Sequence, residues 1–211
     1  MTMLYSVKMF DKPDSGGLRD ATRQPHLDYL KTFDAQTWFG GPMLADDGET
    51  AIGSHRLMDF ESREDAQAHV RDEPYVVAGL QSGVEIIPWS NSVPYTWRDC
   101  PRTKDHIQFL IMAYDKPDSE ALREALRAEH VAFQTRVSDL YLTRGPLLDE
   151  ARRHQIGSLM IVDVPDVAAA HEFWAGEPFN TGGLFERVEM VRWRFGRVFD
   201  QTKPELQAGA G

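Results

Sequence analysis

The sequence predicts an α+β protein built from two copies of one βαββαβ unit that pack sheet to sheet. Two observations lead to this prediction: the chain repeats itself at an offset of 104 residues, and each repeat alternates strand-like with helix-like stretches. Residues 4–89 align with residues 108–193 without a gap, and about 25 of the 86 pairs are identical. Self-similarity of this kind indicates tandem duplication of one folding unit.

The identical pairs concentrate in short motifs. Asp-Lys-Pro-Asp-Ser at 11–15 recurs at 115–119, and Arg-x-x-His at 23–26 recurs at 127–130. Four further motifs recur at the same offset, namely Gly-Pro at 41–42, Ile-Gly-Ser at 52–54, Glu-Pro at 73–74 and Gly-Leu at 79–80. The two units each close on a tryptophan, Trp89 and Trp193.

The first half of each unit is predicted to be a strand, a turn and a helix. Residues 5–10 and 109–114 are short apolar runs typical of buried strands, and the Pro-Asp-Ser after each one supplies a turn and a helix N-cap. Apolar residues spaced four, seven and four apart predict an amphipathic helix over 119–138. In the first copy Pro25 lacks a backbone donor, so we expect that helix to kink or restart just before His26.

The second half of each unit is predicted to be a hairpin, a second helix and a last strand. A short proline-containing turn separates the helix from the last strand. The ranges are 36–44, 51–60, 62–71 and 83–89 in the first copy, and 140–148, 155–163, 166–174 and 187–193 in the second. The resulting βαββαβ order is the ferredoxin-like one.

Each unit covers only one face of its sheet with helices, while the other face carries Trp, Val and Ile side chains that need cover. Two sheets that face each other bury both surfaces, and the duplication makes this pairing intramolecular. We therefore expect repeat 1 over 1–90, a linker over 91–105, repeat 2 over 106–200 and a flexible tail over 201–211. Further association of two chains into a homodimer stays open.

Charge and composition exclude several classes of partner. The formal net charge is −10, and no stripe of Lys and Arg offsets it, so nucleic acid is not an expected partner. No apolar run approaches the roughly 20 residues of a membrane span, so no membrane partner is expected either. The N-terminus lacks a leader-type pattern, and the single cysteine, Cys100, excludes an internal disulfide. We expect a cytoplasmic protein.

The repeated motifs resemble those of the YciI-like family, small domains of the dimeric α/β-barrel superfamily with the ferredoxin-like fold. The resemblance covers nearly the whole chain. It rests on Asp11 and Asp115 after the first strands and on the Arg-x-x-His, Gly-Pro, Gly-Ser and Pro-Tyr/Phe motifs. Because family members form homodimers of one unit, the resemblance implies that this single chain contains an intramolecular dimeric α/β barrel.

The resemblance also implies a kind of chemistry. A relative is a dehydrochlorinase of a chlorinated hydroxyhydroquinone, and neighbouring families include lactone isomerases and cofactor-independent monooxygenases. A His-Asp pair that performs cofactor-free proton transfer or elimination is therefore implied for this chain.

Two His-Asp pairs are the candidates for catalysis, His26 with Asp11 and His130 with Asp115. A carboxylate at a strand end can reach an imidazole on the next helix in this topology. It then fixes the tautomer and raises the basicity of the other ring nitrogen, as a general base near neutral pH requires. The alternative is that each Asp caps a turn and each His is an ordinary helix residue.

The candidate substrate-binding residues are arginines on the histidine-bearing helix face and hydroxyls after the Gly-Ser glycines. Arginine suits an anionic substrate because its planar fork meets a carboxylate or phenolate in two parallel bonds. The set comprises Arg19, Arg23, Ser54, Arg123, Arg127, Arg144 and Ser158. Salt bridges within a unit are the alternative for the arginines, and a bulge or turn is the alternative for the serines. Two strand glutamates, Glu85 and Glu189, are expected to point outward.

The two copies differ at positions that could change a pocket. Gly40 of the first copy corresponds to Arg144 of the second, which places a long cation where the first copy has none. The replacement of His55 by Leu159 breaks the symmetry further. We hypothesise one competent site and one degenerate or regulatory site, with the first copy as the active one.

The sequence contains no glycine-rich phosphate loop, no Gly-x-Ser-x-Gly elbow and no paired-cysteine metal spacing, so we expect no cofactor and no metal. It favours a cofactor-free enzyme that transfers a proton on a small anionic or phenolic molecule, of dehydrochlorinase, isomerase or lyase type. A non-catalytic small-molecule binding module and a purely structural subunit are the alternatives.

Overall fold

The computed structural model describes residues 3–196, so the tail predicted at 201–211 lies outside the described residues. Unit 1 contains β1 Met3–Asp11, α1 Gly16–Lys31, β2 Thr37–Leu44, β3 Ala51–Phe60, α2 Arg63–Arg71, α3 Pro74–Val77 and β4 Gln81–Pro88. Unit 2 contains β5 Ile107–Asp115, α4 Glu120–Arg136, a 3-10 turn Ser138–Leu140, β6 Tyr141–Leu148, β7 Gln155–Val164, α5 Val167–Ala175, α6 Pro178–Thr181 and β8 Phe185–Trp193. The predicted α+β class and the strand–helix order of both units are confirmed, with one extra single-turn helix before each last strand.

The first helix differs from its prediction, because α1 continues through Pro25 without a restart. His26 and Leu30 are the buried residues of this helix and lie four positions apart on one face. Packing of that face against the sheet stabilises the helix and offsets the hydrogen bond that Pro25 cannot make.

Within residues 3–196 eight strands run in the order β4-β1-β3-β2-β8-β5-β7-β6, and each of their pairings is antiparallel. Each unit therefore has the ferredoxin-like order, with its first strand and third strand in the centre. The units join at both edges: Met43 of β2 pairs with Trp193 of β8, and Trp89 forms a bridge with Leu147. The predicted pairing of two sheets is confirmed, and these edge contacts make it an intramolecular barrel.

Three apolar clusters stabilise this arrangement. One lies between the helices and the sheet of unit 1, the second occupies the same place in unit 2, and the largest lies between the two sheets. Trp89 and Trp193 are almost fully buried in the largest cluster. The linker adds Trp97 and Cys100 to the same cluster.

The barrel also encloses a charged group that the sequence did not predict. Lys8 of β1 is 1% exposed, and its Nζ lies 2.8 Å from Glu85 Oε2 and 2.5 Å from Glu189 Oε2. The expectation that these two glutamates point outward is therefore wrong. Glu85 pairs with Lys8 across β1 and β4, and Glu189 pairs with Met112 across β5 and β8, so both side chains face the interior.

No helix within residues 3–196 is long and apolar enough to cross a membrane.

Candidate functional site

In each unit a pocket lies between the first helix and the hairpin. The pocket of unit 1 has a volume of about 320 Å³ and includes Arg19, Arg23 and His26 of α1 together with Tyr75 of α3. The pocket of unit 2 has a volume of about 240 Å³. Its lining includes Arg123, Arg127, His130, Arg144, Ser158 and Phe179. The unit 1 pocket lies at the lower end of the volume range of small-molecule sites.

The histidine of each pocket is paired with a glutamate. His26 Nδ1 contacts Glu73 Oε1, and His130 Nδ1 lies 2.6 Å from Glu177 Oε1. The predicted pairing of these histidines with Asp11 and Asp115 is therefore corrected. The aspartates lie at strand ends beside the first turn of the helix, whereas each histidine is two turns further along and meets the short helix that precedes the last strand.

The glutamate is held from both sides. Glu73 has no exposed surface, and its second oxygen accepts backbone hydrogen bonds from Tyr75 at 3.0 Å and Val76 at 3.3 Å. Such an N-cap fixes the carboxylate at the start of α3. Glu177 caps α6 in the same way, by accepting from the backbone N–H of Asn180 at 2.8 Å. Recurrence of the Glu-Pro motif in both copies was the sequence signal for this role.

The aspartates hold arginines instead. Asp11 Oδ2 accepts from Arg19 Nη1 at 2.5 Å, and Arg19 Nη2 donates to Ser54 Oγ at 3.1 Å. Asp115 forms a two-bond pair with Arg123, at 2.8 Å from Nε and 2.5 Å from Nη2. Ion pairing within the unit, the alternative considered for these arginines, is thus what Arg19 and Arg123 form.

The serines stand behind these arginines. Ser54 Oγ accepts from Arg19, and Ser158 Oγ lies 3.5 Å from Arg123 Nη2. Both serines therefore help to orient an arginine, and Ser158 also lines the pocket of unit 2.

An aromatic ring connects the imidazole with the arginine in both pockets. His26 stacks on Tyr75 with 3.9 Å between ring centroids, and the Arg19 guanidinium lies 4.8 Å from the same ring. Phe179 takes this place in unit 2, 3.8 Å from His130 and 4.5 Å from Arg123. The ring fixes the plane of the imidazole and provides a cation–π contact for the arginine.

Unit 1 adds a buried arginine to its histidine–glutamate pair. Arg56 of β3 is 1% exposed, its Nη2 lies 3.6 Å from Glu73 Oε1, and its Nη1 lies 3.1 Å from His69 Nε2. Unit 2 has Met160 at the position of Arg56 and Phe173 at the position of His69. The histidine–glutamate pair is therefore common to both units, but the buried positive charge beside the glutamate is present in unit 1 and replaced by Met160 in unit 2.

These contacts decide the protonation of the unit 1 pair. Burial lowers the pKa of His26 to about 4; the hydrogen bond to Glu73 opposes this shift, and the charge of Arg56 adds to it. Burial raises the pKa of Glu73, but the bond with His26 and the charge of Arg56 outweigh it and hold that pKa below its usual range. At neutral pH Glu73 is ionised and His26 is neutral, with its proton on Nδ1 and a lone pair on Nε2.

The segment after each last strand completes the pocket of the other unit. Gly196 N donates to Gly40 O at 2.8 Å, and Arg194 lies in the lining of the unit 1 pocket. In unit 2 the corresponding bond runs from Ser92 N to Arg144 O at 2.9 Å.

The glycine of each Gly-Pro motif is required by this contact. A Cβ on Gly41 would lie 1.8 Å from the carbonyl oxygen of Arg194, and a Cβ on Gly145 would lie 1.8 Å from that of Ser90. No larger residue fits where the backbones come this close.

Of the remaining predicted substrate-binding arginines, two have a side-chain partner and one forms no ion pair within residues 3–196. Arg127, which lines the unit 2 pocket and is largely exposed, pairs with Glu124 at 2.6 Å, and Arg144 Nη1 donates to Gln134 Oε1 at 2.7 Å within the same pocket. Arg23 lines the unit 1 pocket with no ion pair to any residue of 3–196. Within that range no three His, Cys, Asp or Glu side chains come together as a metal site, and the absence of a cofactor stays a prediction.

Comparison with known proteins agrees with the repeat and the barrel. A family model, the YCII-related domain, matches residues 3–90 and again residues 107–194. The chain belongs to the YCII-related domain family. A YCII-related relative, protein YciI of Escherichia coli O6:H1, is 35% identical over 94 residues, which cover 41% of this chain and 96% of the relative.

A solved structure shares this fold over nearly the whole chain. Chlorite dismutase from Candidatus Nitrospira defluvii, in complex with imidazole, matches 94% of this chain and 94% of its own with a TM-score of 0.62 and 9% identity, which shows a shared fold alone. A 5-chloro-2-hydroxyhydroquinone dehydrochlorinase from Burkholderia phenoliruptrix, in complex with 2,5-dihydroxybenzoquinone, is 29% identical over 43% of this chain and 96% of its own, with a TM-score of 0.40.

Proposed function

We propose that the protein is a cofactor-free enzyme that moves a proton on a small anionic or phenolic organic molecule, with His26 as the base. The observation that carries this proposal is the His26–Glu73 pair at the wall of the unit 1 pocket. A neutral imidazole whose Nδ1–H is held by an ionised carboxylate presents an unprotonated Nε2, with its lone pair in a fixed direction, to a bound molecule. Glu73 takes the orienting role that the sequence had suggested for Asp11.

The arginines of the pocket fit the charge that such a reaction develops. When the base takes a proton, the electron pair left behind forms a double bond and expels a halide, or it moves negative charge onto a neighbouring oxygen. Arg19, fixed by Asp11, and Arg23 stand on the same helix face as His26 and can stabilise that oxygen. The reaction is therefore of dehydrochlorinase, isomerase or lyase type.

The test is a turnover screen on chlorinated and unchlorinated hydroxyquinones, catechols, lactones and small carboxylates, with His26→Gln and His130→Gln as a matched pair. We expect His26→Gln to lose turnover of the active compound and His130→Gln to keep it, because only unit 1 has a buried arginine behind its histidine–glutamate pair. Loss in His130→Gln with activity intact in His26→Gln would show that the base is in unit 2.

A small-molecule binding module is the second candidate, and the pocket of unit 2 favours it. That pocket keeps the arginines and the histidine–glutamate pair but has Met160 where unit 1 has Arg56. In a binder, His26→Gln would leave the affinity for a ligand nearly unchanged, and no compound of the screen would be turned over.

A further inference from the structure

We infer that both pockets bind an organic anion with three arginines, and that the third arginine of the unit 1 pocket is Arg194, which unit 2 supplies. The inference rests on the proposed function and deepens it, because it names the charge of the ligand and a residue that selects it. The comparison of Gly40 with Arg144 had suggested that the unit 1 pocket lacks a third cation, and Arg194 replaces that interpretation.

A different element supplies the third arginine in each pocket. We call the residues after each last strand, 90–92 and 194–196, the exit segments. In unit 2 the third arginine is Arg144 on the pocket's own hairpin, and the exit segment of unit 1 contributes Ser90 and Ser92. In unit 1 the hairpin position is Gly40, and the exit segment from unit 2 brings Arg194, the repeat equivalent of Ser90. Each pocket thus receives one arginine beyond the two on its helix, from a different side.

Strand geometry directs Arg194 toward the pocket. Trp193 and Phe195, its neighbours in sequence, are buried in the cluster between the sheets. Because successive side chains of an extended segment point to opposite faces, Arg194 points away from that cluster, toward the helix side where the pocket lies. The bonds from Arg194 N to Pro42 O, at 3.4 Å, and from Gly196 N to Gly40 O, at 2.8 Å, hold the segment in this register.

Carboxylates stand near the arginines of both pockets. In unit 1 Asp11 pairs with Arg19, and the exposed Asp20 and Glu49 share the lining with Arg23 and Arg194. In unit 2 Asp115 pairs with Arg123 and Glu124 pairs with Arg127, whereas Arg144 forms no ion pair with any residue of 3–196 and donates to Gln134 instead.

Arginines that approach from two sides match a ligand with acceptor groups at two places. A ring that bears a carboxylate and a phenolate is such a ligand, since each planar guanidinium can donate two parallel hydrogen bonds to one of these groups. A neutral diphenol of the same size lacks the charge and should gain little from the third arginine.

The experiment is calorimetric titration of the full chain with 2,5-dihydroxybenzoate, with the neutral hydroquinone as comparison ligand. Arg194→Ser installs the residue of position 90, Arg144→Gly installs the residue of position 40, and Arg71→Ser alters an exposed arginine away from both pockets. We expect the wild type to bind two equivalents of the anion. Arg194→Ser should weaken one site about tenfold, Arg144→Gly the other, and the double variant both, as the loss of one charge-assisted contact implies.

Arg71→Ser should bind as the wild type, and the affinity for hydroquinone should not change in any variant. The inference is overturned if the wild type binds no more than one equivalent, or if Arg194→Ser binds both equivalents with unchanged affinity. His26→Gln should still bind two equivalents. If the catalytic proposal fails, no compound is turned over, but Arg194→Ser and Arg144→Gly still weaken binding of the anion. The converse result, normal turnover with no effect of Arg194→Ser on anion affinity, contradicts the present inference alone.

Discussion

The imidazole of His26 owes its chemical state to three neighbours of different kinds. Glu73 holds its Nδ1, Tyr75 stacks on its face, and Arg56 adds a positive charge behind the carboxylate. Burial in this setting keeps the ring neutral, and a neutral imidazole with a fixed tautomer is a proton acceptor rather than a solvated helix side chain.

The pH dependence of turnover follows from this state. Because burial lowers the pKa of His26 to about 4, the base is deprotonated and active from neutral pH down to about pH 5, and the rate should fall only as the pH approaches 4. The measurement is kcat/KM from pH 8 to 4, with circular dichroism at each pH to verify that the chain is folded. A midpoint near 6.5, the value of an ordinary histidine, would contradict the assignment.

Glu73→Gln tests the carboxylate as a positioning residue. The amide can still accept the backbone bonds that cap α3, but it is uncharged and holds the Nδ1 proton less strongly. We expect kcat to fall on the order of tenfold with KM nearly unchanged, and the low-pH midpoint to move. Asp11→Asn is the control, since it frees Arg19 and should raise KM instead.

The residues of the site were predictable in part. His26, Arg19 and Arg23 could be found because they recur in both copies on one helix face. The partner of the histidine could not, because several carboxylates recur, and the choice of Glu73 depends on where a four-residue helix begins in space. Arg56 gave no signal, since the second copy has a methionine there.

At the scale of elements, the two extended exits after Trp89 and Trp193 matter as much as the helices. Each exit runs beside the hairpin of the opposite unit, and the close approach of the backbones is possible only at a glycine. The Gly-Pro motif was visible in the sequence as a repeat, but its partner segment lies about 50 residues or more away along the chain and in the other unit, so no local pattern pointed to it.

Gly41→Ala should separate the exit from the hairpin. The new Cβ would lie 1.8 Å from the carbonyl oxygen of Arg194, so the segment must shift, and we expect a loss of about 1–3 kcal/mol in the free energy of unfolding. Urea denaturation measures this loss. Gly17→Ala in α1 is the matched control, because its Cβ meets nothing within 4 Å and the change should be neutral or slightly stabilising. Equal stability of the two variants would contradict the close contact.

At the scale of the whole molecule, the two inner sheet faces are chemically different. Unit 1 contributes Ser6, Lys8 and His55, whereas the equivalent residues of unit 2 are Leu110, Met112 and Leu159. The duplicated architecture itself was predictable, because strand periodicity and the fixed offset survive sequence divergence. The polar inner face was not, since polar residues on a strand normally indicate exposure to solvent.

The buried histidines of unit 1 make the molecule sensitive to acid. Burial lowers the pKa of His55 to about 3, that of His69 to about 3 and that of His26 to about 4. Between about pH 6.5 and these values the unfolded chain binds protons that the folded chain does not, so stability falls as the pH falls, by about 1 kcal/mol per pH unit for each histidine.

Urea titrations at several pH values between 7 and 4 measure this dependence. The double variant Ser6→Leu/His55→Leu places the residues of unit 2 in the inner face of unit 1, removes the hydrogen bond between the two side chains together with the titrating group, and should show a shallower dependence. Identical pH dependence in the wild type and the double variant would contradict burial of a neutral His55.

The segment after each last strand lines the pocket of the other unit, and this affects how the pockets can change over evolutionary time. In a homodimer of single units, every substitution appears in both pockets at once, so neither can be altered alone. Here position 90 and position 194 belong to one chain but complete different pockets, as do positions 40 and 144. Fusion of the units therefore lets the residues of each pocket change independently, while both pockets remain parts of one barrel.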